Sequence, residues 1–286
     1  MSFSKQIKKD LANQWSASHH CRVAEVVAMI SMLGEVQRIS KEEKYLQIAI
    51  ENAMVARKCF TFLKKAFNIR VEISLQGQTH LIKVQDVEIG SFSQIVKKTC
   101  CKRAFIRGAF LASGSISNPE KGYHFEIVTP TKHKAEQLQC IMNSFELEAK
   151  IIPRKSTYVV YLKESTQIVD VLNVMEAHIA LMELENVRIL KEVRNHVNRK
   201  VNCEAANINK TVAASLKQRE DILYLREQMG FNKLPEGLQE MAMIRMDYPD
   251  ASLKELGELM NPPIGKSGVN HRLRKLSLLA EEIRDR

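Results

Sequence analysis

The sequence predicts an α+β protein in two parts: an αββαββα saddle with a pseudo-two-fold axis, then a small all-α domain. Three observations carry this. The stretch RAFIRGAFLASGSIS, Arg103 to Ser117, reads as a helix whose crowded face is Gly108, Ala109, Ala112 and Gly114. Small residues let two helix backbones approach closely, and glycine inside a helix costs roughly 1 kcal/mol against alanine, so a packing or capping reason is expected. A weaker copy, AEVVAMISMLGEV, runs from Ala24 to Val36, with Gly34 placed 80 residues before Gly114. That period fits one α/β repeat per copy. The last third, by contrast, reads as short amphipathic helices only.

In chain order, Ser2 to Trp15 reads as a first helix capped by Ser4, with Ile7 and Leu11 at helical spacing. His19 to Leu33 is the second. Val36–Ile39 and Tyr45–Glu51 alternate as strands around a polar turn, Ser40 to Lys44. Asn52 to Phe67 is helical, and Arg70–Leu75 with His80–Gln85 makes a hairpin about Gln76-Gly77-Gln78. After the Arg103 helix come a Pro-Gly turn (118–122), a strand YHFEIV (123–128), a helix from Thr131 to Phe145, a hairpin (148–153, 157–162) and a helix from Ser165 to Leu172. The order helix, two strands, helix, two strands thus occurs twice. Met175 to Val201 reads as a long polar helix. The Asn-rich stretch NRKVNCEAANINKT (198–211) marks a boundary, giving a saddle domain at 1–189, a basic linker at 190–215 and a helical domain at 216–286.

Within that last domain Lys217–Met229 and Pro235–Met246 are amphipathic helices. SLKELGELM follows, with Ser252 and Glu255 spaced as a capping box. Asn261-Pro262-Pro263-Ile264-Gly265 stops it sharply. Lys266 to Ile283 then forms a helix with an inner stripe of Val269, Leu273, Leu276, Leu279 or Ala280, and Ile283. The stretch from Lys266 to Ala280 contains no acid. Capped helix, short turn and basic helix make a helix-turn-helix pattern, whose second helix puts N-terminal residues on base edges. The candidate DNA-binding residues are Ser252, Lys254, Lys266, Ser267, Asn270, His271, Arg272, Arg274 and Lys275. Arginine pairs with guanine and asparagine with adenine through two hydrogen bonds.

The net charge of +10 favours a polyanionic partner, double-stranded DNA above all. Lys97, Lys98, Lys102 and Arg103, with Arg107, form an acid-free cluster, and Arg199 and Lys200 follow on the long helix; these are candidate phosphate contacts. The six cysteines include no C-x-x-C pair, and the adjacent Cys100 and Cys101 could hardly bridge each other without strain. His19-His20-Cys21 has no second ligand pair near it in sequence, so no metal and no cofactor are expected. No apolar run is long enough to span a membrane, and MSFSKQIKKDLANQW has no signal core. A cytoplasmic protein with reduced thiols, associated with the nucleoid, is expected.

Two segments, Ile106 to Gly114 and Val26 to Gly34, resemble the signature helix of the LAGLIDADG homing endonucleases. In that family an acid just before the final glycine holds a divalent metal, and one such acid comes from each repeat. The matching positions here are Leu33 and Ser113, neither a carboxylate, so the resemblance implies the fold without the nuclease and no catalytic residue is expected. An endonuclease would need carboxylates elsewhere, such as Glu25 or Glu35. The segments CKRAFIRGAFLASGSISNPEKGYHFEIV (101–128), NRKVNCEAANINKT (198–211) and SLKELGELMNPPIGKSGVNHRLRKL (252–276) resemble the WhiA-type DNA-binding proteins of Gram-positive bacteria. That resemblance covers essentially the whole chain. It implies a non-catalytic transcriptional regulator tied to cell division and chromosome segregation, and to sporulation septation in some relatives. The competing class is a basic scaffold that binds a sigma factor or a division protein.

Overall fold

A computed structural model describes residues 2–38, 44–85 and 92–285. Two units divide the chain, at 1–192 and 193–286. In the first, helix α1 (Phe3–Asn13) precedes a repeat made of α2 (His19–Leu33), β1 (Gly34–Arg38), β2 (Lys44–Ile50), α3 (Ala53–Phe67), β3 (Val71–Gln76) and β4 (Thr79–Gln85). One helical turn, α4 (Phe92–Ile95), leads to the second repeat. It comprises α5 (Thr99–Ser113), β5 (Gly114–Ile116), β6 (Phe125–Thr129), α6 (Lys132–Asn143), β7 (Lys150–Arg154), β8 (Thr157–Leu162) and a closing α7 (Ser165–Val174). The two antiparallel sheets share one strand order, β1-β2-β4-β3 and β5-β6-β8-β7. The expected saddle order is present, and α2 and α5 sit 80 residues apart at both ends.

Close approach explains the small residues. A Cβ on Gly108 would lie 2.1 Å from the Glu25 carbonyl oxygen and 3.0 Å from the Ala28 Cβ, so α2 and α5 touch through backbone. Gly34 and Gly114 are not left-handed helix caps; their φ values are −76° and −80°. Each helix instead runs directly into a strand, and a Cβ at Gly114 would lie 2.3 Å from Phe110 Cδ2. The helix expected over 103–117 therefore starts earlier, at Thr99, and stops at Ser113. The first cap is Ser2 rather than Ser4: its Oγ accepts from the Lys5 amide at 3.3 Å. Asn52 and Thr131 cap α3 and α6 through their side chains. The turn expected over 40–44 lies almost wholly outside the described residues.

The saddle core is apolar, with Val26, Met29, Ile48, Phe62, Ile106, Phe110 and Phe125 all buried. Alternation along the strands sets its faces: Ile82 and Val84 are buried while Lys83 and Gln85 are exposed. One polar cluster lies inside. Glu25, fully buried, pairs with Lys58 at 2.5 Å and with Arg107 at 3.1 Å. Arg107 also reaches Glu176 at 2.6 Å and the Ser16 hydroxyl at 2.8 Å, and Lys58 donates to the Leu11 carbonyl at 2.7 Å.

Helix α8 (His178–Gln228) is 51 residues long and continues through the division between the units. Residues 190–215, expected as a linker that leaves the helix after Val201, are helical throughout. They contain neither proline nor glycine, and asparagine costs only about 0.7 kcal/mol or less against alanine in a helix. The Thr211 hydroxyl, donating back to the Asn207 carbonyl at 2.9 Å, fits the helix as it stands. A 3-10 turn (Phe231–Lys233) then leads to α9 (Glu236–Asp247), α10 (Leu253–Glu258) and α11 (Lys266–Arg284). This unit has its own core: Ile222, Leu225, Leu238, Met241, Leu256, Val269, Leu273 and Leu276. Among the described residues no helix is long and apolar enough to cross a membrane.

Candidate nucleic-acid interface

The site starts at the cap of α10. Ser252 Oγ accepts from the Glu255 amide at 3.3 Å, and Glu255 Oε2 accepts from the Ser252 amide at 2.7 Å, closing the capping box. These hydrogen bonds hold the Glu255 carboxyl below its ordinary range. The turn after α10 closes when the Ile264 amide donates to the Gly257 carbonyl at 2.9 Å. Gly257 has no alternative there, because a Cβ would lie 2.2 Å from the Ile264 oxygen. Capped helix and tight turn together fix where α11 begins.

Along α11, Val269, Leu273, Leu276 and Ala280 are buried. At about 100° per residue, that places Ser267, His271, Arg274 and Lys275 on the far side, and all four are exposed. Lys266 and Asn270 turn toward α10. With Ser252 and Lys254 they line a cleft of about 360 Å³, whose other wall is Lys210, Thr211 and Gln218 of α8 and Arg245 of α9. Four cations face this cleft, and its lining includes no acid. Arg245 is fixed by Gln218 (3.1 Å) and the Ala251 carbonyl (2.8 Å); Lys254 lies 3.8 Å from Glu258.

The acids of α11 lie at its other end. Glu281 pairs with Lys217 at 2.9 Å, and Arg284 reaches buried Asp221 at 2.8 Å, so the C-terminal half is tied to α8. The N-terminal half is left basic and exposed. Arg272 departs from the expected surface. Its guanidinium packs over Gly237, in a cleft with Glu236, Glu240 and Asn261, so it faces α9 rather than the side that carries Arg274. Lys210, Gln218 and Arg245 were not legible as site residues. Lys210 falls in the Asn-rich stretch, and only the continued helix brings it to the cleft.

The saddle offers a different surface. Leu33 and Ser113 line one cleft of about 920 Å³ with Lys5 and Lys8, and the Ser113 hydroxyl donates to the Val128 carbonyl at 2.6 Å. Burial pushes the Lys8 ammonium down to about 8, opposed by Glu51. Across the sheets the register aligns Glu35, Gln47, Lys83 and Glu72, and in the other sheet Ser115, Glu126, Tyr161 and Lys150. Glu126 also pairs with Arg154 at 2.8 Å. Both rows mix charges rather than presenting an unbroken basic face.

The expected phosphate contacts do not gather on the saddle cleft. Lys97 and Lys98 are exposed and precede α5, Lys102 donates to Ser144 Oγ at 3.1 Å, and Arg103 is half-buried. They stand before or in the first turns of α5, roughly 15–22 Å along the helix axis from Ser113. Arg107 of the same cluster is buried against Glu25. Arg199 and Lys200 are exposed on α8.

Comparison with known proteins follows the same division. The chain matches the models of the WhiA N-terminal LAGLIDADG-like domain at residues 19–87, the WhiA LAGLIDADG-like domain at 102–194 and the WhiA C-terminal HTH domain at 197–280. It is 51% identical to a probable cell division protein WhiA of Lachnoclostridium phytofermentans, covering 99% of this chain and 100% of that protein. It is 48% identical to one of Desulforamulus reducens, over 99% and 97%. The fold is similar to that in a crystal structure of full-length DUF199/WhiA from Thermatoga maritima, with a TM-score of 0.64, 24% identity and 99% of both chains covered.

Proposed function

Because this chain belongs to the WhiA family, we propose that it is a DNA-binding regulator of cell division whose saddle does no chemistry on DNA. The observation that carries the DNA reading is the exposed, acid-free first half of α11, set beside a cleft faced by Lys210, Arg245, Lys254 and Lys266. Phosphate neutralisation by these lysines supplies salt-dependent affinity and fixes register; base contacts supply sequence preference. Arg274, His271, Ser267 and Asn270 are the side chains assigned to base edges, and Lys254, Lys266, Lys275 and Ser252 to phosphates. Such a protein works in the cytoplasm, on the nucleoid.

The absence of chemistry is supported by Leu33 and Ser113 at the paired positions and by Glu25, which is closed off between Lys58 and Arg107. Glu35 is exposed on β1 beside Gln37, and the other carboxylate of its sheet row, Glu72, stands on the far edge strand with Gln47 and Lys83 between them. The mixed charge of the saddle face favours a protein partner from the transcription or division machinery there over a phosphate backbone.

The test is duplex selection with the full-length protein, followed by affinity measurements on the selected site. Arg274→Ala is expected to weaken that site by roughly 1–3 kcal/mol and relax preference at one position. Lys254→Ala is expected to weaken all duplexes alike and to reduce the salt slope by about one. Unchanged affinity and preference in both variants would remove the assignment of this face.

A further inference from the structure

The four side chains His20, Cys21, Cys100 and Cys101 lie far apart in sequence as two adjacent pairs. The repeat brings them together: one pair opens α2, the other opens α5, and the two helices pack against each other. One ligand atom from each residue lies within 4.8 Å of all the others. His20 Nδ1 is 3.2 Å from Cys101 Sγ, 3.3 Å from Cys21 Sγ and 4.0 Å from Cys100 Sγ. A tetrahedral zinc ion, with Zn–S of about 2.3 Å and Zn–N of about 2.1 Å, sets its ligand atoms roughly 3.5–3.8 Å apart. We propose that these four residues form a Cys3His site for a soft divalent cation of the zinc type, which pins the N-terminal ends of α2 and α5 together.

Ligand chemistry and surroundings both fit. Three thiols and one imidazole make a closed structural set with no open position for catalysis. Cys21 and Cys101 are buried beside Ala24 and Ala104, whereas Cys100 is exposed and gives the ion a way in. All four residues fall in the first turn of their helices, and neither N-cap, Ser18 or Lys98, makes a side-chain capping bond. The first-turn amides therefore remain available to anionic sulfur. Binding releases three thiol protons and leaves the site with one net negative charge, next to Lys97 and Lys98 in the chain. Without a cation, burial and crowding by neighbouring thiols push the Cys21 thiol up to about 12. The expectation of no metal site rested on linear spacing, and the ligands here come from two repeats.

The experiment is metal analysis of the full-length chain, purified under reducing conditions with zinc supplied, with cobalt substitution as the spectroscopic probe. A single zinc per chain is expected, and the cobalt form should show the intense d–d and thiolate charge-transfer bands of a tetrahedral sulfur site. Cys100→Ser, at an exposed position, should lose stoichiometric metal and the bands while keeping its circular dichroism; Cys100→His should retain metal. Cys140→Ser and Cys203→Ser should change neither. A wild-type chain that retains no metal overturns the proposal, as does a Cys21–Cys100 or Cys21–Cys101 disulfide found by mass. So does metal retention that survives Cys100→Ser and Cys101→Ser alike.

Discussion

Glu25 lies about two helical turns before Leu33 on α2, which by residue type makes it a candidate metal carboxylate. Its surroundings give it another role. Held at 2.5 Å by Lys58 and at 3.1 Å by Arg107, it is a buried counter-charge shared by two cations from different elements. Removing Arg107 leaves Glu25 with Lys58 alone and takes the donor from the Met175 carbonyl and the Ser16 hydroxyl; hydrogen bonds to charged groups are worth about 1.5–3 kcal/mol each. Arg107→Ala is therefore expected to lower the thermal midpoint of the saddle strongly, and a loss under 1 kcal/mol, read by denaturant unfolding, would contradict the packing described. Sequence alone places Arg107 on a surface, because five cations without an acid read as one and its acid partners, Glu25 and Glu176, are long-range. Lys8 offers a second residue-scale test. Its ammonium titrates at about 8 because it is desolvated. The unfolded chain then binds the extra proton between about 8 and the ordinary lysine value, so this group's contribution to stability rises with pH across that window. A side-chain nitrogen NMR titration should show one lysine with a midpoint near 8, and a set of lysines all titrating near the ordinary value would contradict its burial.

At the scale of elements, the capped turn before α11 is where sequence and structure agree most closely. Ser252, Glu255, the prolines and the start at Lys266 all announce themselves locally, since caps and turns are short-range chemistry. Ser252→Ala is expected to destabilise the C-terminal unit by about 1 kcal/mol, measured on its unfolding transition. Glu255 adds a pH dependence of known sign. Its carboxyl is held low by the Ser252 amide, so the stability it contributes is present above the ordinary carboxylate range and is lost as pH falls through the folded value. Gly257 is legible in the sequence only as a helix residue; its need for a hydrogen in place of Cβ comes from Ile264, across the turn. Gly257→Ala is expected to abolish sequence-specific binding while helix content stays nearly constant, because the backbone clash tilts α11 without unfolding it. Helix α8 is the converse case. Composition alone suggests a linker there, although 190–215 contains neither proline nor glycine to stop a helix. Asparagine there weakens the helix without ending it.

For the molecule as a whole, the repeat offset of 80 residues made the saddle legible, because both copies show the same order of periodicities. The helix-turn-helix was legible from its cap and its one-sided charge. What long-range packing decides was not: the burial of Arg107, the turning of Arg272 toward α9, the arrival of Lys210 at the cleft, and the meeting of two Cys/His pairs. The central claim is that the exposed first half of α11, rather than the mixed-charge sheets, chooses where the protein sits on DNA. Genome-wide occupancy of the full-length chain tests it most directly, comparing wild type with an Asn270→Ala/Arg274→Ala variant and a Lys83→Ala/Lys150→Ala variant. Sharp promoter peaks should vanish in the first variant and persist in the second. Peaks that survive the loss of Asn270 and Arg274 would contradict the account, and would assign targeting to the saddle or to a protein bound on it.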